Sequence, residues 1–339
     1  MKNGIVVAGS LILDRHYAVT SYPEEGRLVE IHDMHDDAGG AGNLIISLAK
    51  LDAELPVRVS ALLGGGSSGK TVMKKLKQYA NIDTNGITQY GYTPVTILID
   101  ADDTHQRTFF YYPGAGDCYS EKYIDWNVLR GDIFQIEYLL LMKCLDADDP
   151  EYGTHAARIL AEAQRRGMKT SVDMVSKNGP RVREIVRAAL KHTDFCTINE
   201  LEAQEAAGIP LIAGGALIEK NMRPVLEKLA EYGVSEWVIV HASSCSFGLD
   251  CRTGTCCKVP NIPLPDGYIK GKTGAGDAYS AGILYAAYKE MPITDAMKLG
   301  TACASCSLSE INGTDGMRPY KDVCALYDQY KGVVEYEKI

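Results

Sequence analysis

Several features are missing from this 339-residue chain, and each absence excludes something. No run approaches the ~18 apolar residues that a membrane helix needs. The most hydrophobic stretches, 138–142 and 238–240, have only strand length. There is no internal repeat and no low-complexity linker. Positive charge is in deficit, with 35 Lys and Arg against 44 Asp and Glu and a formal net charge of −9. That balance argues against a general nucleic-acid binder, which shows a basic face. It leaves room for a local basic pocket. A cleavable leader is also not expected: the apolar stretch 5–13 runs straight into Asp14, Arg15 and His16, with no small-residue cleavage site. The reading is a buried first strand in a cytoplasmic protein.

What is present is ordinary globular composition, 46% apolar and 23% charged, long enough for one large domain with ample core. Ten cysteines in a chain of this length do not make a disulfide framework. Cys251 with Cys256 and Cys257, and Cys303 with Cys306, have metal-like spacings. Their contexts are unlike, so they are expected to pack as small hydrophobes.

From residue 53 onward, apolar runs alternate with amphipathic stretches. Strands are predicted at 57–62, 138–142, 169–173, 195–198 and 236–240. Helices are predicted at 69–79, 152–166, 181–190 and 223–232, with two or three more from 275 onward. This alternation predicts a mostly parallel sheet covered on both faces. Two segments break the rhythm. Residues 17–36 and 93–112 read as period-2 strands without helices between them, and Asp102-Asp103-Thr104-His105 reads as a polar hairpin turn. They predict a small antiparallel sheet standing over the ligand edge of the main one.

The strongest local signal is Gly271-Lys272-Thr273-Gly274-Ala275-Gly276-Asp277, followed by a small-residue helix. It is neither a Walker A loop nor a GxGxxG fingerprint. The amides of Gly274, Ala275 and Gly276 would sit at a helix N-terminus, an anion site. A carboxylate, Asp277, is out of place there unless it is a base taking a proton from a hydroxyl that attacks a phosphoryl group. Taken alone, the motif reads rather as a capped helix after a glycine turn.

These residues resemble the C-terminal signature of the PfkB, or ribokinase-like, carbohydrate kinases. The resemblance extends to Gly39-Gly40-Ala41-Gly42-Asn43 before the helix predicted at 44–51, to the first strand ending in Asp14, and to Asn199-Glu200-Leu201-Glu202 after a strand. Four landmarks in order cover essentially the whole chain. The resemblance implies one domain over 1–339, a three-layer α/β/α sandwich with a mostly parallel central sheet and a β-sheet lid at about 15–37 and 92–113. It implies ATP-dependent phosphorylation of a sugar-type hydroxyl with Mg2+. Asp14, Gly39, Gly40 and Asn43 would then bind the acceptor, with Arg107 and Lys143 as further candidates. Asp277 would be the base and 274–276 the anion hole. Asn199, Glu202, Thr273, Gly274, Gly276 and Ala242 would serve the nucleotide, with Glu202 holding Mg2+ through water. Asp173 is a further candidate at a strand end. Such lids often pair between subunits, so a homodimer is expected.

The chain also departs from the pattern. Gly271, Lys272 and Thr273 replace the usual Asp-Thr-Thr, so a monovalent-cation site lacks its carboxylate. Lys272 offers a fixed positive charge instead. The nucleotide loop has Ala242 and Cys245 at its two Gly positions, and Thr301 stands where relatives carry Asn. Three readings stay open: a sugar or sugar-acid kinase, a nucleoside kinase, and a non-catalytic ligand-binding protein on the same fold. Arg107 and the Tyr-rich stretch beside it tilt the first towards a keto-sugar or sugar acid.

Overall fold

The computed structural model describes residues 2–104, 106–331 and 337–338. In chain order the elements are β1 (Ile5–Gly9), β2 (Leu11–Val19), β3 (Ile31–Gly40), α1 (Ala41–Leu51), β4 (Val57–Leu63), α2 (Ser67–Leu76), β5 (Ile82–Gln89), β6 (Val95–Ala101), β7 (Gln106–Tyr112) and β8 (Ile133–Leu139). There follow β9 (Asp148–Asp149), β10 (Gly153–Thr154), α3 (His155–Arg165), β11 (Lys169–Met174), α4 (Val182–Leu190), β12 (Phe195–Asn199) and α5 (Glu200–Ala207). The rest are β13 (Ile212–Ala213), β14 (Ala216–Leu217), α6 (Met222–Glu231), β15 (Trp237–His241), β16 (Cys245–Asp250), β17 (Thr255–Pro260), α7 (Ala275–Tyr288), α8 (Ile293–Ser307), α9 (Tyr320–Tyr330) and β18 (Glu337–Lys338).

The main sheet has ten strands in the order β18-β17-β16-β15-β12-β11-β8-β1-β4-β5. From β15 to β5 all pairs are parallel; β16, β17 and β18 add antiparallel edges. Alternation along β1 feeds two separate cores. Ile5 and Val7 join a cluster with α1, α7 and α8, while Val6 and Ala8 join one with α3, α4 and α6. Both faces are thereby covered, giving a three-layer α/β/α sandwich. The chain builds outward from β1 to β4 and β5, then returns to the other side of β1 with β8, β11, β12 and β15. The order therefore reverses between β1 and β8, and the crevice at their carboxyl ends is where open α/β sheets hold ligands.

The second sheet runs β3-β2-β6-β7. It is mixed rather than antiparallel, because β2 and β6 run parallel. The chain leaves β2–β3 to build α1, β4, α2 and β5 before returning as β6, and so long a crossover permits the parallel pairing. The tip between β6 and β7 includes His105, which lies outside the described residues.

One predicted strand is misplaced. The sheet uses Ile133–Leu139, not 138–142, and Leu140 turns out of it with φ 69°. Gln135 and Glu137 gave the true strand a loop-like polarity, yet both are buried (1% and 0% exposed) because β8 lies between β1 and β11. Lys143 is consequently not at a strand end but four residues past it. The β16–β17 hairpin also went unpredicted. Cys303 and Cys306 are buried in α8, and all ten cysteines are free, as their spacing context suggested.

Helices α7 and α8 touch through glycine: a Cβ on Gly282 would lie 2.7 Å from the Cα of Gly300. Substituting Gly282→Val is expected to cost about 1–3 kcal/mol by forcing this contact apart. A urea unfolding midpoint equal to that of the parent chain would contradict it.

Candidate active site

The crevice between β1 and β8 is where α1 and α7 point their N-termini. Gly274 caps α7 with φ 73°, and a Cβ there would lie 2.5 Å from the Cα of Gly313, so the turn demands glycine. Asp277 follows in the first turn of α7, half-buried. Its Oδ2 accepts from Asn43 Nδ2 at 2.9 Å, and its Oδ1 accepts from the Tyr138 hydroxyl. Asn43 lies in the first turn of α1, and Gly313 packs so close behind it that a Cβ would fall 2.6 Å from Asn43 Oδ1. Three elements far apart in sequence thus converge on one carboxylate.

Asp14 forms the opposite wall from β2. A Cβ on Gly39 would collide with its carboxylate at 1.9 Å, so Gly39 makes room for Asp14. Gly40 caps α1 with φ 57°. Burial pushes Asp14 up to about 7, and the nearby Asp277 and Asp37 add to the rise.

Beneath Asp277 lie two further acids, Glu137 on β8 and Asp173 on β11. One oxygen from each of the three falls within 4.8 Å of the others. Three adjacent carboxylates out of water cannot all be ionised. Burial holds both well above the usual carboxylate range; the charges of Asp173 and Asp277 add to the rise at Glu137, and those of Glu202 and Asp277 to the rise at Asp173. Gln135 Nε2 donates to Glu137 at 2.6 Å, and Ser280 Oγ donates to Asp173 at 3.1 Å. Burial raises Asp277 as well, opposed by the donors Tyr138 and Asn43. The protons therefore belong on the deeper pair.

Asn199 and Glu202 sit at the end of β12 and close a capping box on α5. Glu202 accepts from Asn199 N at 2.9 Å, Asn199 Nδ2 at 2.6 Å and Ser176 Oγ at 2.8 Å. Burial raises it to about 7. Ala242 begins the turn after β15, where its N–H donates to Cys245 O at 2.9 Å and its carbonyl accepts from Asn261 Nδ2 at 3.3 Å. Below that turn, the place a Gly276 Cβ would occupy lies 3.6 Å from His241 Cε1. Burial pushes His241 down to about 4, so the imidazole there is neutral.

Arg107 reaches from β7 across the crevice. Its Nε donates to Asp100 Oδ1, and its Nη1 donates to Thr273 Oγ1. Lys272 is exposed beside it. A Cβ on Gly271 would lie 2.6 Å from the carbonyl of Ile311, which leaves no room for the Asp expected there from the resemblance. Lys143 is exposed; with Tyr111, Asp117 and Lys177 it lines a groove that also takes in Ser176, the partner of Glu202. Glu137 falls outside the strand predicted at 138–142, and Tyr138 stands there as part of an apolar run, so neither is marked by the sequence as a site residue. Among the described residues no helix is long and apolar enough to cross a membrane.

The pfkB family of carbohydrate kinases matches residues 2–319. The chain belongs to this family. Solved structures share the fold of this pfkB-family chain at low identity. Ribokinase of Arabidopsis thaliana, complexed with ribose and ATP, is 19% identical with a TM-score of 0.79, over 96% of this chain and 99% of that one. Ribokinase of Thermotoga maritima is 18% identical, with TM-score 0.75 over 96% and 99%. The nucleoside kinase of Methanocaldococcus jannaschii is 20% identical, with TM-score 0.72 over 97% and 99%. Membership in the pfkB family implies a kinase phosphotransferase.

Asp14 supplies a pH test. Its folded pKa, about 7, lies above the value near 3.8 of an unfolded chain. Stability from this group is complete below about pH 4 and is lost as pH rises towards 7 and the native state surrenders its proton. Replacing Asp14→Asn is expected to raise the thermal midpoint at pH 8 and to leave it nearly unchanged at pH 4. Equal midpoints for both chains at pH 8 would contradict the buried, proton-holding carboxyl.

Proposed function

We propose that this chain transfers the γ-phosphoryl group of ATP to a hydroxyl of a neutral sugar-type acceptor. The observation that carries the reading is Asp277: a carboxylate at the N-terminal turn of α7, at the sheet's switch point, held by Asn43 and Tyr138 and facing a second carboxyl, Asp14. Asp14 and Asn43 offer acceptor and donor groups for two or more hydroxyls. Asp277 accepts the proton of the attacking hydroxyl, and its neighbours Glu137 and Asp173, already protonated, do not compete for that role. The amides of residues 274–276 meet the charge on the migrating phosphoryl group. Neutral His241 beneath them adds no charge of its own.

Magnesium fits this site only through its waters, because both Glu202 oxygens already serve the α5 cap. Bound there beside Asn199 and Glu202, it would neutralise the nucleotide phosphates. Thr273 and the turn at Ala242 belong to the same nucleotide side. The space at Gly271 supports no carboxylate ligand for a monovalent cation.

Arg107 is engaged by Asp100 and Thr273, and Lys143 stands outside the cluster. The groups that face the acceptor are therefore acidic or neutral, which favours a neutral polyol over a sugar acid. The exposed apolar side chains on the small sheet, among them Phe109, Phe110 and Tyr112, support its pairing with a second copy as a lid.

Asp277→Asn is expected to lower kcat by about 10²–10⁴-fold while ATP still binds. A coupled assay over free sugars, sugar acids and nucleosides checks this. Equal turnover by Asp277→Asn, or no acceptor turned over by the parent chain despite ATP binding, would remove the reading. Sedimentation at micromolar concentration is expected to give the dimer mass; a monomer would remove the lid pairing.

A further inference from the structure

Next to Asp14 on the acceptor wall, the small sheet brings two imidazoles and a carboxylate together. His16 on β2 and His35 on β3 are register partners directly across the antiparallel pair. Asp37 follows His35 by two residues and so lies on the same face. The two rings stack with centroids 4.4 Å apart and planes 7° apart. One donor atom from each of the three residues lies within 4.8 Å of the other two.

The bonding within this group is incomplete. His16 is 2% exposed, yet its Nδ1 has no hydrogen-bond partner among the described residues. The nearest acid, Asp100 Oδ2, stands 3.8 Å away, beyond hydrogen-bond length. Asp37 is half engaged. Its Oδ1 takes Lys75 Nζ at 2.6 Å, while its Oδ2 lies 3.8 Å from His35 Nε2. One oxygen is anchored from outside and the other is turned towards the imidazole. Beside the group is a groove of about 330 Å3, lined by His16, His35, Asp33, Asp100 and Arg107, which opens a path from solvent.

We propose that His16, His35 and Asp37 form a binding site for a first-row transition dication such as Zn2+ or Co2+. Imidazole selects such ions over Mg2+, and two His with one carboxylate supply three ligands while leaving positions open for water. The ion gives the buried His16 the partner it lacks. As stacked, the two ring planes share no ion, so the half-exposed His35 turns off the buried His16 ring to bring its donor to the ~2.0–2.2 Å bonds such ions require. Lys75 stays on the outer oxygen of Asp37 and orients it, as ligating carboxylates commonly are. The Arg107 guanidinium across the groove remains balanced by Asp100. An ion here ties β2 to β3, the strands that carry Asp14 and Gly39, and so stiffens the acceptor wall without touching Asp277.

The test is a Co2+ titration of the full chain, followed by calorimetry and visible absorption, with no phosphoryl transfer involved. The expected result is one ion per chain with nitrogen and oxygen ligation and no thiolate charge-transfer band. His35→Phe keeps a ring stacked on His16 but removes its donor, and is expected to weaken binding at least tenfold. Asp37→Asn is the second variant, should the first fail to fold. Zn2+ is expected to raise the thermal midpoint of the parent chain and not that of the folded variant. No binding, a thiolate band, or affinity unchanged in a folded variant would overturn the site.

Discussion

A carboxylate withdrawn from bulk water must be met by donors, or it takes up a proton and ceases to be a base. Asp277 is met by an amide from α1 and a phenol from β8, and it stands at the positive end of α7. Much of the architecture exists to bring those three elements to one point. The order reversal between β1 and β8 opens the crevice, and Gly274 and Gly313 let two backbones pass within the width of one atom. Deeper in, burial holds Glu137 and Asp173 well above the usual carboxylate range, while at Asp277 the donors Tyr138 and Asn43 oppose the rise. The acidity of the site is thus layered by depth.

Much of this arrangement could be read in the residues. The Gly-Ala-Gly-Asp turn, the Gly-Gly-Ala-Gly-Asn entry to α1 and the Asn-Glu-Leu-Glu cap of α5 are local patterns whose backbone geometry follows from composition. The alternation of strands and helices was equally legible, because buried parallel strands read as continuous apolar runs. What could not be read depended on neighbours distant in sequence. β8 carries Gln135 and Glu137, and only its place between β1 and β11 explains why polar side chains lie inside a strand. Tyr138 escaped notice because it stands as part of an apolar run. The sense of β2 against β6 was likewise hidden, since it depends on a crossover and not on either strand.

Two positions where the sequence departs from the expected pattern are closely packed. The Ile311 backbone crowds Gly271, so a side chain there would displace it. In the turn after β15, Asn261 ties down the carbonyls of Ala242 and Ser243 at 3.3 and 2.9 Å. Lys143, prominent as a charge beside an apolar run, proves to be a loop residue once the strand is correctly bounded.

Arg107 joins Asp100 on one sheet to Thr273 on the loop that precedes α7. That bond and the Lys75–Asp37 pair fasten the small sheet to the main body at two points, one beside α7 and one on α2. Drawing the sheet away at the first point leaves the guanidinium with Asp100 and takes the donor from Thr273.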